Sequence, residues 1–255
     1  MKHPTLILIF TLMSFSGSLV YGFSNDSGGG DSNRRPLRFF LTSSSTLSSS
    51  NDSIISTALR LVLEHIKDEV ALEAVSENEY RNGSVDVVIN LVSHRDFVQL
   101  TREMLNVLPS GLSDLDAFYI ERSTVLRPNG QGQIVMNMES ILLDNNGYER
   151  PDAFYRLVTV FAHELYGNAV RRYFNKEPLS QNPQVNAYQT QVQAYSRGIT
   201  VIQKIVTYFE GNPDTIPLAI KLKTMIDIEK DRMQSWVRAL DSLNENSCKR
   251  ILTSD

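Results

Sequence analysis

The stretch Phe161-Ala162-His163-Glu164-Leu165-Tyr166-Gly167-Asn168-Ala169-Val170-Arg171-Arg172 decides how the rest of the chain is read. It lies inside a run from Asp152 to Asn175 in which Leu157, Val160, Phe161, Glu164, Leu165 and Asn168 recur at spacings of three and four. That period predicts a buried helix. An adjacent His-Glu pair on such a helix is the opening of a zinc-hydrolase site, in which the imidazole binds the metal and the next carboxylate acts as base. The usual second His is absent: Gly167 stands four residues after His163, and Asn168 stands five after.

Working outward, the next helix is expected from about Val185 to Glu210, after breaks at Pro178 and Pro183 and before Gly211-Asn212-Pro213. A third is expected from about Ile216 to Asn244. Its charges (Lys221, Lys223, Asp227, Glu229, Lys230, Asp231, Arg232) are mixed in sign, as on a solvated face. Upstream, Leu37 to Thr42 reads as a first strand and Ser53 to Lys67 as an amphipathic helix. Val85 to Val92 is the clearest buried strand, a β-branched run after the turn-forming Asn82-Gly83. A helix from about Asp96 to Leu108 stops at Pro109. Ala117 to Leu126 and Gln133 to Met138 flank Asn129-Gly130, the signature of a hairpin. The expected fold class is therefore α+β: a small mixed sheet with a hairpin in the N-terminal half, followed by three long helices carrying the His-Glu motif.

The N-terminus reads as a secretory signal. Lys2 and His3 precede the apolar run Leu6 to Met13, and Val20-Tyr21-Gly22 offers a cleavage site near Gly22. The run is short and broken by Ser14, Ser16, Gly17 and Ser18, so cleavage is expected rather than a retained anchor, leaving no mature membrane span. Residues 23–36 form a Gly/Ser-rich linker, and residues 37–255 are expected to make one domain. The protein is thus expected to be secreted or periplasmic. Cys248 is the single cysteine, so no intrachain disulfide can form and stability must come from the core. A net charge of −4 leaves no electrostatic footprint for nucleic acid.

The residues Phe161 to Ala169, with the hairpin before them and a long helix after, resemble the active-site helix of zincin metallopeptidases. The likeness is to the longer-spaced His-Glu-x-x-Gly-His motif of the dipeptidyl peptidase III family. On a regular helix residues four apart differ by about 40° in azimuth, whereas five apart differ by about 140°. The longer spacing therefore needs a bulge, which Gly167 would permit. The resemblance implies zinc, a peptide or protein substrate or partner, Glu164 as general base and an edge at Gln133 to Met138 that holds an extended peptide. It also implies a third ligand on the following helix, best aligned with Gln191, and Tyr195 one turn on as an oxyanion donor.

In this chain the two companion positions are Asn168 and Gln191, so the set is one imidazole and two neutral amides, which offers little charge to a divalent ion. Glu177 and Glu210 are carboxylates nearby in sequence that the motif does not place. Of the other histidines, His65 falls on the apolar face of an early helix and reads as a hydrogen-bonded boundary residue, while His94 follows a strand and could reach a cleft. Asp114 and Asp116 sit among Ser, Gly and Asp residues and read as turn formers. Three functional readings follow: a zincin-like scaffold with a degenerate metal site, an active zinc metallohydrolase using His163 and Glu164, or an unrelated α+β protein. In the last, the buried His163-Glu164 pair is satisfied by Arg171 or Arg172.

Overall fold

A computed structural model of the chain describes residues 36–43, 49–104, 116–120, 132–170 and 183–252. The expected signal, nearly all of the linker, the Asn129-Gly130 turn, Asp114, Arg171, Arg172 and Glu177 lie outside the described residues. The fold is α+β, with a five-stranded mixed sheet in the N-terminal half and long helices in the C-terminal half.

Five strands, β1 (Leu37–Ser43), β2 (Leu72–Ala74), β3 (Val87–Val92), β4 (Ala117–Ile120) and β5 (Gly132–Asn137), lie in the order β2-β1-β3-β5-β4. The four strands from β2 to β5 in this order run parallel, and β4 pairs antiparallel with β5 (Phe118 opposite Val135, Tyr119 opposite Ile134). Parallel strands covered on both faces read as continuous apolar runs. Val87, Val88 and Ile89 are accordingly all buried, as are Ile134, Val135 and Met136. The hairpin expected from Asn-Gly is present as the β4–β5 pair. Its second strand is not the sheet edge, however. β5 is held by β3 on one side and β4 on the other, so the edge expected at Gln133 to Met138 falls instead on β4.

Helices α1 (Ser49–Ile66) and α5 (Ala153–Phe161) cover one sheet face, joining Leu37, Phe39, Ile89, Leu91, Ile134 and Met136 to the main core. On the other face Phe40 stacks on Tyr80 of α2 (Glu77–Arg81) at 4.4 Å, and Phe97 of α3 (His94–Met104) meets Phe118 of β4 at 5.1 Å. Helix α2 has a capping box. Ser76 Oγ accepts from the Glu79 amide, and the Glu79 carboxylate accepts from the Ser76 amide at 2.9 Å. A short α4 (Met138–Leu142), capped by Asn137, turns the chain from β5 toward α5.

Helix α5 continues without a break into a nine-residue π-helix, Ala162–Val170, all but Tyr166 buried. Two long helices follow. α6 (Pro183–Glu210) and α7 (Ile216–Leu252) are joined by a tight turn in which Asn212 Oδ1 accepts from the Asp214 amide at 3.0 Å. The π-helix is packed against α6, and α7 lies along α6. Among the described residues, no helix is long and apolar enough to cross a membrane.

Candidate functional site

The His-Glu pair sits where three helices meet. A π-helix is wider than an α-helix and bonds i to i+5, a geometry that appears mostly as single turns and at functional sites. Here it spans nine residues and carries His163, Glu164, Gly167 and Asn168. Gly167 has a second reason to be glycine besides the altered winding. A Cβ built on it would lie 2.4 Å from the carbonyl oxygen of Ala194 on α6. Gly198 makes the reciprocal approach, since its Cβ would come within 3.2 Å of the His163 Cα and amide nitrogen. Two glycines, one on each helix, thus let α6 pass close against the motif.

That approach brings two sequence-predicted residues to His163. The Tyr195 ring lies 4.1 Å from the imidazole, tilted by 53°. Gln191, one turn earlier on α6, hydrogen-bonds with the imidazole and favours its charged form. Burial outweighs that help and drives the His163 pKa down to about 4, with the nearby Arg232 guanidinium adding to the fall. His163 is therefore a neutral imidazole near pH 7. Its Nδ1 is buried and has no hydrogen-bond partner.

Glu164 is pushed the other way. Burial raises its carboxyl to about 7, the amide of Asn168 opposes the rise, and the negative field of Glu229 adds to it. Asn168 Nδ2 donates to Glu164 Oε2 at 3.0 Å, a buried bond within one turn of the π-helix. The other oxygen, Oε1, stands 3.8 Å from His163 Nε2, too far for a hydrogen bond. Tyr195 is raised to about 12, first by burial and then by Glu229.

Glu229 was read from the sequence as part of a solvated face, and the structure corrects this. It is 4% exposed on α7 and accepts from Arg232 Nη1 at 2.8 Å. A signal was available, because Glu229 falls in step with the buried Leu222, Met225 and Ile226, on the apolar stripe of its helix. Burial raises its pKa, against the pull of Arg232, and Asp116 raises it further. Asp116 is likewise no simple turn former. It is 8% exposed, accepts from Arg156 Nη2 of α5 at 2.6 Å on each carboxylate oxygen, and accepts from Ser140 Oγ at 2.7 Å. Behind the His-Glu pair there is thus a group of alternating charges, Asp116 at the start of β4, Arg156 on α5, and Glu229 and Arg232 on α7.

The remaining expectations resolve simply. His65 Nδ1 bonds the Leu61 carbonyl at 2.8 Å, and its ring packs edge-on to Tyr208, as a boundary histidine would. His94 Nδ1 pairs with Asn137 Nδ2 at 3.0 Å, at the carboxyl ends of β3 and β5. Glu210 pairs with Lys223 across the α6–α7 turn. Cys248 lies in the last turns of α7.

The residues gathered at His163 do not fit a zinc site. The set brought together is one imidazole and the amides of Asn168 and Gln191, and the Asn168 amide is already engaged as a donor to Glu164. Among the described residues no group of three or more His, Cys, Asp and Glu side chains is arranged to hold a metal ion. What the arrangement can do chemically is hold a protonatable carboxyl, a neutral imidazole and a tyrosine at one buried point under the sheet edge. Compared with known family models, curated proteins and solved structures, the chain matches none.

Proposed function

We propose that this is an exported, zincin-like protein whose metallopeptidase site is degenerate, and that it acts by binding an extended peptide or protein segment rather than by cleaving it. The observation that carries the reading is the hydrogen bond from Asn168 Nδ2 to Glu164 Oε2. It links the position that should supply a ligand to the residue that should serve as base. An internal amide–carboxyl contact takes the place of a metal-organised water, and Glu164 then stabilises the π-helix instead of accepting a proton from water.

Two further features support it. The element order agrees with the resemblance: a hairpin, a buried His-Glu helix, then a helix bringing Gln191 and Tyr195 to the imidazole. β4 is an edge strand packed beside the π-helix, and among the described residues it pairs with β5 alone. A sheet edge of this kind takes an added strand through main-chain hydrogen bonds.

The deciding experiment is zinc titration of the purified protein beside the Asn168→His/Gln191→Glu double variant. The wild-type chain is expected to retain no stoichiometric zinc. The double variant, with two imidazoles and a carboxylate, should bind at least about a hundredfold more tightly. Near-stoichiometric zinc in the wild-type protein, with a melting temperature that falls on chelation, would establish the active metallohydrolase instead. No gain in the double variant would overturn the alignment of positions 168 and 191 with the zincin ligands.

A further inference from the structure

Arg232 is the exposed charge at the His-Glu point. The acids around it are buried and engaged: Asp116 by Arg156 and Ser140, Glu164 by Asn168, and Glu229 by Arg232 itself. Arg232 Nη1 donates to Glu229 Oε1 at 2.8 Å, yet the arginine side chain is 42% exposed against 6% for that carboxylate. A guanidinium carries five N–H groups in a planar fork, so one buried acceptor leaves donors for a second. Its field is felt at His163 and Tyr195, and it feels that of Asp116, which places it where the π-helix, α6 and the start of β4 meet.

An aromatic wall stands beside it. One turn further along α7, Trp236 meets the Tyr188 ring edge-on at 5.2 Å, and the indole N–H donates to the Tyr195 hydroxyl. All three rings are partly exposed. Such a wall takes an apolar side chain, and a guanidinium fork takes a planar carboxylate. The two together describe the end of a peptide chain. Which end follows from strand direction. Asp116 immediately precedes β4, so a strand added antiparallel to β4 finishes beside Asp116 and Arg232, and one added parallel begins there. An exposed guanidinium repels a terminal ammonium and attracts a terminal carboxylate, so it selects the antiparallel strand.

We propose that β4 receives the free C-terminal end of a peptide, laid antiparallel to it, with the terminal carboxylate on Arg232 and an apolar last side chain against Trp236 and Tyr188. The inference rests on the reading of β4 as the acceptor of an extended segment, and it adds what that segment must carry. Main-chain bonds to β4 supply affinity without regard to sequence, and the carboxylate and last side chain supply the choice.

Fluorescence polarisation with dye-labelled peptides of about eight residues tests this, at a length that spans β4 with residues to spare. Two pools share the same β-branched-rich sequences and carry the dye at the amino end; one ends in a carboxylate and the other in a carboxamide. The carboxylate pool is expected to bind at least about tenfold more tightly. Within it, peptides ending in Phe or Leu should bind at least about tenfold more tightly than those ending in Asp. Arg232→Gln should erase the preference for the carboxylate. That change leaves Glu229 buried without its partner, so Arg232→Gln/Glu229→Gln is measured beside it, with circular dichroism to show that both variants fold. The double variant should bind both pools alike, at the wild-type affinity for the carboxamide. Equal binding of the two pools by the wild-type protein overturns carboxylate capture and leaves strand addition standing. A carboxylate preference that survives both substitutions overturns the assignment to Arg232. Binding of neither pool up to about 1 mM overturns strand addition on β4, and this inference with it.

Discussion

His163 and Glu164 are neighbours whose ionisations are displaced in opposite directions by the same cause, burial. The consequences for stability can be separated. His163 has its pKa lowered to about 4, so between that value and the ordinary 6.5 the unfolded chain takes up a proton that the folded one refuses. Its contribution is complete above 6.5 and is lost as pH falls toward 4. Glu164 has its pKa raised to about 7 from 4.5, so its contribution is complete below 4.5 and is lost as pH rises through 7. In the wild-type protein the two slopes oppose each other across pH 4.5–6.5 and largely cancel. We predict that Glu164→Gln unmasks the imidazole, giving a stability that climbs from pH 4 to 6.5, and that His163→Gln unmasks the carboxyl, giving one that declines from pH 4.5 to 7. Each slope is worth on the order of 3 kcal/mol and is read by urea unfolding at several pH values. Parallel profiles for the two variants would show that burial does not govern these groups. This chemistry is half legible in the sequence: His-Glu on an apolar helix announces burial, but nothing in the sequence places Glu229 and Arg232 where their charges reach the pair.

At the scale of the element, the π-helix is tied to α6 by two glycines whose roles are unequal. An alanine at Gly167 would put its methyl 2.4 Å from the Ala194 oxygen and 2.9 Å from the Ala194 Cα, backbone atoms that cannot rotate aside. Gly167→Ala is therefore expected to destabilise by about 3 kcal/mol, or to force α6 away and lose the His163–Tyr195 contact. At Gly198 the nearest atoms are 3.2 Å away, and alanine is the better helix former by about 1 kcal/mol. Gly198→Ala should accordingly be near neutral. Equal thermal shifts for the two variants would contradict the close packing at Gly167. The sequence showed why a bulge would be useful at His163, since residues five apart share no face of a regular helix. It could not show that the whole segment Ala162–Val170 is rewound, because the spacing of the motif calls for no more than a single-turn bulge. By contrast, α2 was readable and missed: Ser76 and Glu79 spell a capping box at the spacing that one requires.

For the molecule as a whole, Asp116 is the point at which the sheet edge, α4 and α5 are joined. Its carboxylate takes Arg156 on both oxygens and Ser140 on one, and it lies in the field of Glu229 and Arg232 from α7. Breaking one partner of a buried pair costs more than the pair contributes, because the other charge stays desolvated. Asp116→Asn should lower unfolding free energy by about 2–4 kcal/mol, seen as a reduced urea midpoint. A change below about 0.5 kcal/mol would mean that Arg156 finds water or another acceptor without cost.

The sequence by itself determined the apolar runs that become β1, β3 and β5, the hairpin partnership of β4 with β5, and the helical period of the C-terminal half. These are local properties, set by side-chain alternation, turn chemistry and the spacing of buried positions along one segment. It also shows an adjacent His163-Glu164 pair with Asn168 five residues after the histidine and Gln191 on the following helix. Only the tertiary structure decided that β5 is internal and β4 is the edge, because strand order depends on which neighbours each strand finds. The meeting of Glu229, Arg232, Asp116 and Arg156 behind His163 was decided in the same way. Asp116, Arg156 and the Glu229–Arg232 pair lie far apart along the chain, and although the apolar stripe of α7 marks Glu229 as inward-facing, which charges it meets there depends on packing between segments that no single segment encodes.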